Sequence, residues 1–183
     1  YENNLQEKKI IIVGVSGINA IDNPGPGVGV ARSLKDDKEL SVQIAGLSYD
    51  AMDPGNYMDW LIDRSFIMPY PSSDHQAFID RLLYIKSSFG LDVIIPTLDA
   101  ELPFYIRYQE ELKNLGIETF LPTIDQFKLR GKDKLVDIGE KIGLNVPKTR
   151  VVSSESDLAE AIDEIGLPVM VKGAFYKADK AYT

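Results

Sequence analysis

Two lysine-bearing stretches stand out for the charge chemistry they could do. Lys172 ends the apolar run Pro168-Val169-Met170-Val171, which reads as a strand whose alternation puts the lysine on a half-buried face. An unpaired buried ammonium costs several kcal/mol, so this residue needs a partner or a wet tip. A polyphosphate would be such a partner. One unit-charge pair at ~4 Å and an effective dielectric near 20 is worth about 4 kcal/mol before desolvation. A lysine snorkelling from an edge strand meets the same need. The second stretch, Gly131-Lys132-Asp133-Lys134, opens a helix. The helix dipole disfavours cations there and favours an anion. Such a local conflict often marks a functional site, although charge runs are usually solvated faces.

A second set of residues gathers around one crevice. The Gly/Pro-rich loop from Gly14 to Gly29, with Gly17 and Asn19, joins a first strand to a first helix. Open α/β sheets bind ligands at this position, and free N–H groups at the helix start can hold an anion. No Gly-Lys-Ser/Thr triplet of a phosphate loop exists, and Arg32 falls where a dinucleotide fingerprint needs a small residue. A long turn needing Gly for positive φ explains the same glycines. Across the crevice, Pro96-Thr97-Leu98-Asp99-Ala100-Glu101 follows a strand and opens a helix. Thr97, Asp99 and Glu101 could contact an amine or other polar substrate there, or could simply cap the helix and complement its dipole. The one histidine, His75, lies just past a Ser/Asp cap and is expected to face solvent. Met58, Trp60, Phe104, Tyr105 and Tyr108 follow helical or turn spacing and are expected in the core. Asp50, after the second strand, is where an acid contacting a ribose would sit.

The elements that must position these residues follow from periodicity. Ile10–Val15, Val42–Leu47 and Asp92–Pro96 are short apolar runs of the kind buried on both faces of a parallel sheet. Ser65–Met68 is a weaker strand, and Ile117–Leu121 is a further one. Helices are expected at Val28–Leu34, after the caps at 72–74 with Phe78, Leu82, Leu83 and Ile85 inward, and over Leu102–Leu115. The order βαβ…βαβαβ implies a doubly wound parallel sheet over about the first 120 residues. Beyond Pro122 come a Thr123/Gln126 capping box, a charged helix from Asp133 to Ile142, a strand over Thr149–Val152, a helix over Glu155–Ile165 and the Lys172 strand.

Composition narrows the function classes. The 183 residues carry 20 Lys+Arg against 28 Asp+Glu, a net charge of −8. That balance speaks against nucleic acid or anionic membrane as partner. With no cysteine and one histidine, thiol chemistry and thiolate or His-rich metal sites are excluded. The start Tyr1-Glu2-Asn3-Asn4 does not read as a signal peptide and no run of about 18 apolar residues occurs, so a cytoplasmic location is expected.

In combination, the chain resembles the N-terminal part of an ATP-grasp enzyme, with carbamoyl-phosphate-synthetase-like and biotin-carboxylase-like members most similar. The likeness rests on Lys9–Gly29, on Asp92–Thr97, on Lys132-Asp133-Lys134 with the helix ending Ile142-Gly143-Leu144-Asn145-Val146-Pro147, and on Ile165–Gly173. The resemblance implies an α/β fold. A Rossmann-like, doubly wound pre-ATP-grasp domain over 1–122 would precede the first part of an α+β ATP-grasp lobe over 123–183. It implies that Lys134 and Lys172 contact ATP phosphates, and that ATP phosphorylates a small-molecule carboxylate whose acyl phosphate an amine then attacks. The crevice residues Gly17, Asn19, Thr97, Asp99 and Glu101 would serve those substrates. The Mg²⁺ ligands and adenine contacts are expected beyond residue 183, with no metal site within the chain, and activity of this stretch alone is not expected. Two departures stand out: only Gly173 remains of the Gly-rich loop after the strand lysine, and the sequence stops at Thr183. A homodimer through an exposed sheet edge is compatible with this reading. Other readings are a non-catalytic nucleotide or metabolite sensor and an NAD(P)-binding oxidoreductase domain.

Overall fold

The computed structural model describes residues 9–19, 25–173 and 178–182. They form two compact units, one ending at Leu121 and the other beginning at Pro122. In the first, β1 (Ile11–Val15), β2 (Val42–Ser48), β3 (Arg64–Ile67) and β4 (Val93–Ile95) make one sheet in the order β3-β2-β1-β4. Every pairing is parallel, with Val13 opposite Ile44 on one side and opposite Val93 on the other. Helix α1 (Pro26–Asp36) joins β1 to β2, α2 (His75–Ser88) joins β3 to β4, and α3 (Leu102–Asn114) follows β4.

The sheet is covered on both faces, which is why its strands read as unbroken apolar runs. Alternation sends Val13, Val15 and Ile44 to one face with Ala31 of α1, and Ala45, Leu47 and Ile94 to the other with α2 and α3. Two carboxylates fix the N-terminal ends of strands. Asp92 accepts from Ile12 N–H at 2.9 Å and Asp63 from Ile44 N–H at 2.6 Å.

Three expectations for this unit need correction. Residues 117–121 do not form a strand: only Glu118 pairs, in an isolated parallel bridge with Val93. β4 is three residues long, and once Glu118 has exchanged bonds with Asp92 and Ile94 the chain leaves with Phe120 in solvent. Trp60 is exposed and not core, because the 3₁₀ turn Pro54–Tyr57 and the turns after it pass over the surface. In α2 the inward stripe is Phe78, Ile79, Leu82 and Ile85, and Leu83 lies at its exposed margin.

In the second unit, α4 (Ile124–Leu129) begins with the expected reciprocal Thr123/Gln126 cap. Where one helix was expected from Asp133, a 3₁₀ turn over Lys132–Lys134 precedes α5 (Leu135–Ile142), which ends at Gly143 with φ +70°. α6 (Glu155–Ile165) is capped by the Ser154 hydroxyl, and β5 (Val169–Lys172) pairs antiparallel with β6 (Ala178–Ala181). The strand expected over 149–152 is not formed. β5 takes β6 as its partner, and Arg150 instead makes an ion pair with Glu164 of α6. No helix among the described residues is long and apolar enough to cross a membrane.

Two glycines of α1 separate a tight approach from an idle position. A Cβ on Gly27 would lie on top of the Ser16 carbonyl oxygen, whereas a Cβ on Gly29 meets nothing within 4 Å. Gly27→Ala should therefore cost roughly 3 kcal/mol, and Gly29→Ala should stabilise by about 0.5–1 kcal/mol through helix propensity. Urea midpoints of the two variants, moving in opposite directions, check this.

Candidate functional site

Strand β1 sits between β2 and β4, so the chain diverges to opposite sides at its C-terminal end, the place where open parallel sheets form ligand crevices. Ser16 follows β1 directly and Thr97 comes just after β4. Thr97 N–H donates to Ser16 Oγ at 2.9 Å, and Thr97 Oγ1 donates to the Ser16 carbonyl at 2.9 Å. The Ser16 hydroxyl in turn donates to Glu101 Oε2 at 2.6 Å, with both residues buried. Gly17 holds φ +65° beside this joint, where any Cβ would strike the Thr97 hydroxyl.

The structure thus brings Gly17, Thr97 and Glu101 together. Asn19 is half-buried at the loop's edge, its carbonyl accepting from Gly25 N–H at 2.6 Å. Asp99 is half-buried in the opposite loop. Residues 20–24 of the Gly/Pro-rich loop lie outside the described residues, as do Ala174–Lys177 after the Lys172 strand and the chain ends.

Glu101 lies beneath the crevice surface, 1% exposed. Burial pushes its carboxyl up from 4.5 to about 7, against the opposing pull of the Ser16 hydroxyl and the nearby Tyr49 hydroxyl. Tyr49 just past β2 and Tyr105 of α3 sit beside it. Burial, reinforced by their charged neighbours, drives both phenols far above their ordinary range. Sequence reasoning missed Ser16 and Tyr49 as members of this cluster. Their signal was positional: each is the first residue past a strand whose C-terminal end forms the crevice.

The lysines belong to the second unit. Lys172 is exposed at the end of β5, not half-buried, since a two-stranded hairpin leaves its outer side open. Lys134 is exposed as well and lies 3.6 Å from Asp133. The adjacent Lys132 reaches across the unit, its Nζ donating to the Gly173 carbonyl at 3.0 Å. That contact seats the lysine-bearing turn against the end of the Lys172 strand. Among the described residues no three His, Asp or Glu side chains gather as a metal-binding group.

His75 is not a solvent-facing residue without a partner. Its Nε2 lies 2.9 Å from Glu111 Oε2, and its ring stacks on Tyr108 with centroids 4.0 Å apart. Asp50 is exposed and caps its own turn, accepting from Met52 N–H at 2.8 Å.

The raised pKa of Glu101 has a definite sign. Between about pH 4.5 and 7 the unfolded chain has released this proton while the folded chain retains it. Stability therefore falls as pH rises through that window and levels off above it. Glu101→Gln keeps an acceptor for Ser16 and removes the titration. Its stability relative to wild type should rise by a few kcal/mol between pH 4.5 and 8. Denaturant titrations of both proteins across that range measure the difference.

No family model matches the chain. The carbamoyl phosphate synthase large chain of Helicobacter pylori is 28% identical over 118 residues, covering 60% of this chain and 11% of the relative. The N-terminal section of the Aquifex aeolicus large chain is 26% identical over 178 residues, 92% of this chain and 30% of that protein. This chain thus spans less than a third of these relatives' length. Among solved structures, the L-amino acid ligase of Bacillus licheniformis superposes with TM-score 0.60 at 18% identity, covering 96% of this chain and 39% of the ligase. The N5-carboxyaminoimidazole synthetase of Staphylococcus aureus, solved with ADP, gives 0.59 at 17% identity, with 93% and 40% covered. These likenesses favour neither the sensor nor the oxidoreductase reading. The chain is similar in sequence to part of the carbamoyl phosphate synthase large chain, and its α/β fold is the one seen in the L-amino acid ligase and the N5-carboxyaminoimidazole synthetase structures.

Proposed function

We propose that this chain supplies the substrate layer and the first phosphate-binding arm of an ATP-dependent carboxylate–amine ligase. In this reading the first unit is a Rossmann-like pre-ATP-grasp domain and the second opens the ATP-grasp lobe, divided near residues 122 and 123. ATP would phosphorylate a small-molecule carboxylate, giving an acyl phosphate and ADP, and an amine would then attack the acyl carbon and displace phosphate. Lys134 and Lys172 neutralise the nucleotide's phosphates, an electrostatic role in which positioned cations do most of the work. Gly17, Asn19, Thr97 and Asp99 border the crevice that holds the carboxylate and amine, and Glu101 supports it from below.

The observation that carries this reading is the Lys132–Gly173 contact. It places a turn containing Lys134 next to the strand end containing Lys172, and both ammonium groups are exposed. Two exposed cations on elements that the Lys132 side chain bridges, with no cross-element acid partner among the described residues, suit a polyphosphate in charge and donor type.

In the natural protein, ATP with Mg²⁺ and a suitable carboxylate and amine should yield ADP and phosphate. Lys134→Ala and Lys172→Ala should each weaken Mg·ADP binding by roughly tenfold or more, the loss of one charge-assisted contact. Calorimetry measures this, and unchanged affinity in both variants would remove the phosphate roles.

A further inference from the structure

A second polar recess, lined by none of Ser16, Thr97 and Glu101, opens in the first unit. It holds about 420 Å³ between the segment leading into α2 and the early turns of α3, a volume ordinary for small-molecule sites. Its lining includes the Ser72 hydroxyl, His75, Arg107 and Tyr108, with Pro103 and Phe104 as apolar wall.

Arg107 is set apart by the partners it lacks. On α3 its natural i,i+4 acid is Glu111, but the Glu111 carboxylate is engaged by His75. The Asp74 carboxylate, at the start of α2, accepts from Gln76 and Ala77 N–H groups. Arg64 and Arg81 lie over the Phe66 ring. Arg107 has no hydrogen bond, ion pair or ring contact among the described residues. A guanidinium is a cation that presents a planar fork of N–H donors.

The surrounding groups are held in place before any ligand arrives. The bond to Glu111 and the stacking on Tyr108 fix the His75 ring from two directions. The Ser73 hydroxyl is tied to the Tyr70 carbonyl at 2.6 Å, which steadies the segment bearing Ser72. Preorganisation of this kind lowers the ordering cost of binding.

We propose that this recess binds a small oxyanion-bearing molecule, a phosphate monoester or an organic carboxylate. Its anionic group sits on Arg107 near the Ser72 hydroxyl, and its short apolar part rests against Pro103 and Phe104. The planar guanidinium fork suits both anions. The proposal is independent of the nucleotide reading, because no residue of the second unit takes part.

The chain has a single histidine, so its ring nitrogens report on the recess without assignment ambiguity. Inorganic phosphate and acetate are titrated separately into the whole chain, with chloride holding ionic strength constant, and the His75 ring is followed by NMR. A saturable shift is expected, weakened roughly tenfold or more in Arg107→Gln and unchanged in Lys113→Gln on the same helix. Saturation by phosphate at lower concentration assigns the phosphate monoester, and the reverse order assigns the carboxylate. Arg107 is exposed, and retention of the His75–Glu111 ring signals shows that the variant is folded. The proposal is overturned if neither anion saturates, if chloride alone reproduces the shift, or if Arg107→Gln binds as tightly as wild type. Lys172→Ala leaves this titration unchanged, so failure here is distinguishable from failure of the nucleotide site.

Discussion

The Ser16 hydroxyl accepts a hydrogen bond from Thr97 N–H and donates one to the Glu101 carboxyl, so one buried oxygen joins the ends of β1 and β4. The order of packing in the first unit follows from that joint. Glu101 offers its own carbonyl to Phe104 and Tyr105 N–H, which starts α3. Phe104 and Tyr105 then meet Phe78 of α2, with ring centroids 4.3 and 5.8 Å away. A displacement at Ser16 would travel through α3 into the larger of the two apolar faces. The Gly17 carbonyl, receiving Gly27 N–H at 3.0 Å, carries the same constraint to the start of α1 on the other face.

A buried carboxyl is an expensive way to make such a joint, since an apolar side chain of similar size would avoid the desolvation cost. Burial resolves part of the problem by keeping Glu101 protonated toward neutral pH, which makes it a neutral hydrogen-bonding group. In that form it accepts from Ser16 with Oε2, while Oε1 and the neighbouring Tyr49 and Tyr105 hydroxyls are buried without a hydrogen-bond partner among the described residues. An apolar residue could fill the volume but would leave the buried Ser16 hydroxyl without its acceptor. What Glu101 adds is geometry at the crevice floor.

The elements of the first unit were legible because a strand buried on both faces leaves no polar alternation, and Val13, Ile44 and Ile94 show this directly. Where the reading failed, the deciding quantity was a partner strand. Ile117–Leu121 and Thr149–Val152 have strand-like composition, yet the first pairs only at Glu118 and the second joins no ladder, β5 pairing with β6 instead. Ala178–Ala181, with poor strand composition, pairs because β5 offers an open edge. The candidate site divides along the same line. Gly17 and Thr97 could be read from their places at strand ends, which is a local property. The bond between Ser16 and Glu101 spans 85 residues and the one between His75 and Glu111 spans 36, and no local pattern encodes either.

The lysine turn shows how tertiary structure changes the meaning of a local conflict. From sequence, Lys132 and Lys134 appear as cations in the first turn of a helix, opposed by its dipole. The fold instead gives them a 3₁₀ turn of their own, with α5 beginning only at Leu135. Lys132 turns its charge onto the Gly173 carbonyl, 41 residues away, so a structural contact accounts for that residue. Lys134 has only its neighbour Asp133 as a partner, and Lys172 has no ion pair among the described residues. Neither cation is required by a cap, a strand register or a cross-element contact described here. A charge that the fold does not use, on a turn that a bond the fold does use ties to the strand end of a second such charge, is an arrangement that an external anion would stabilise.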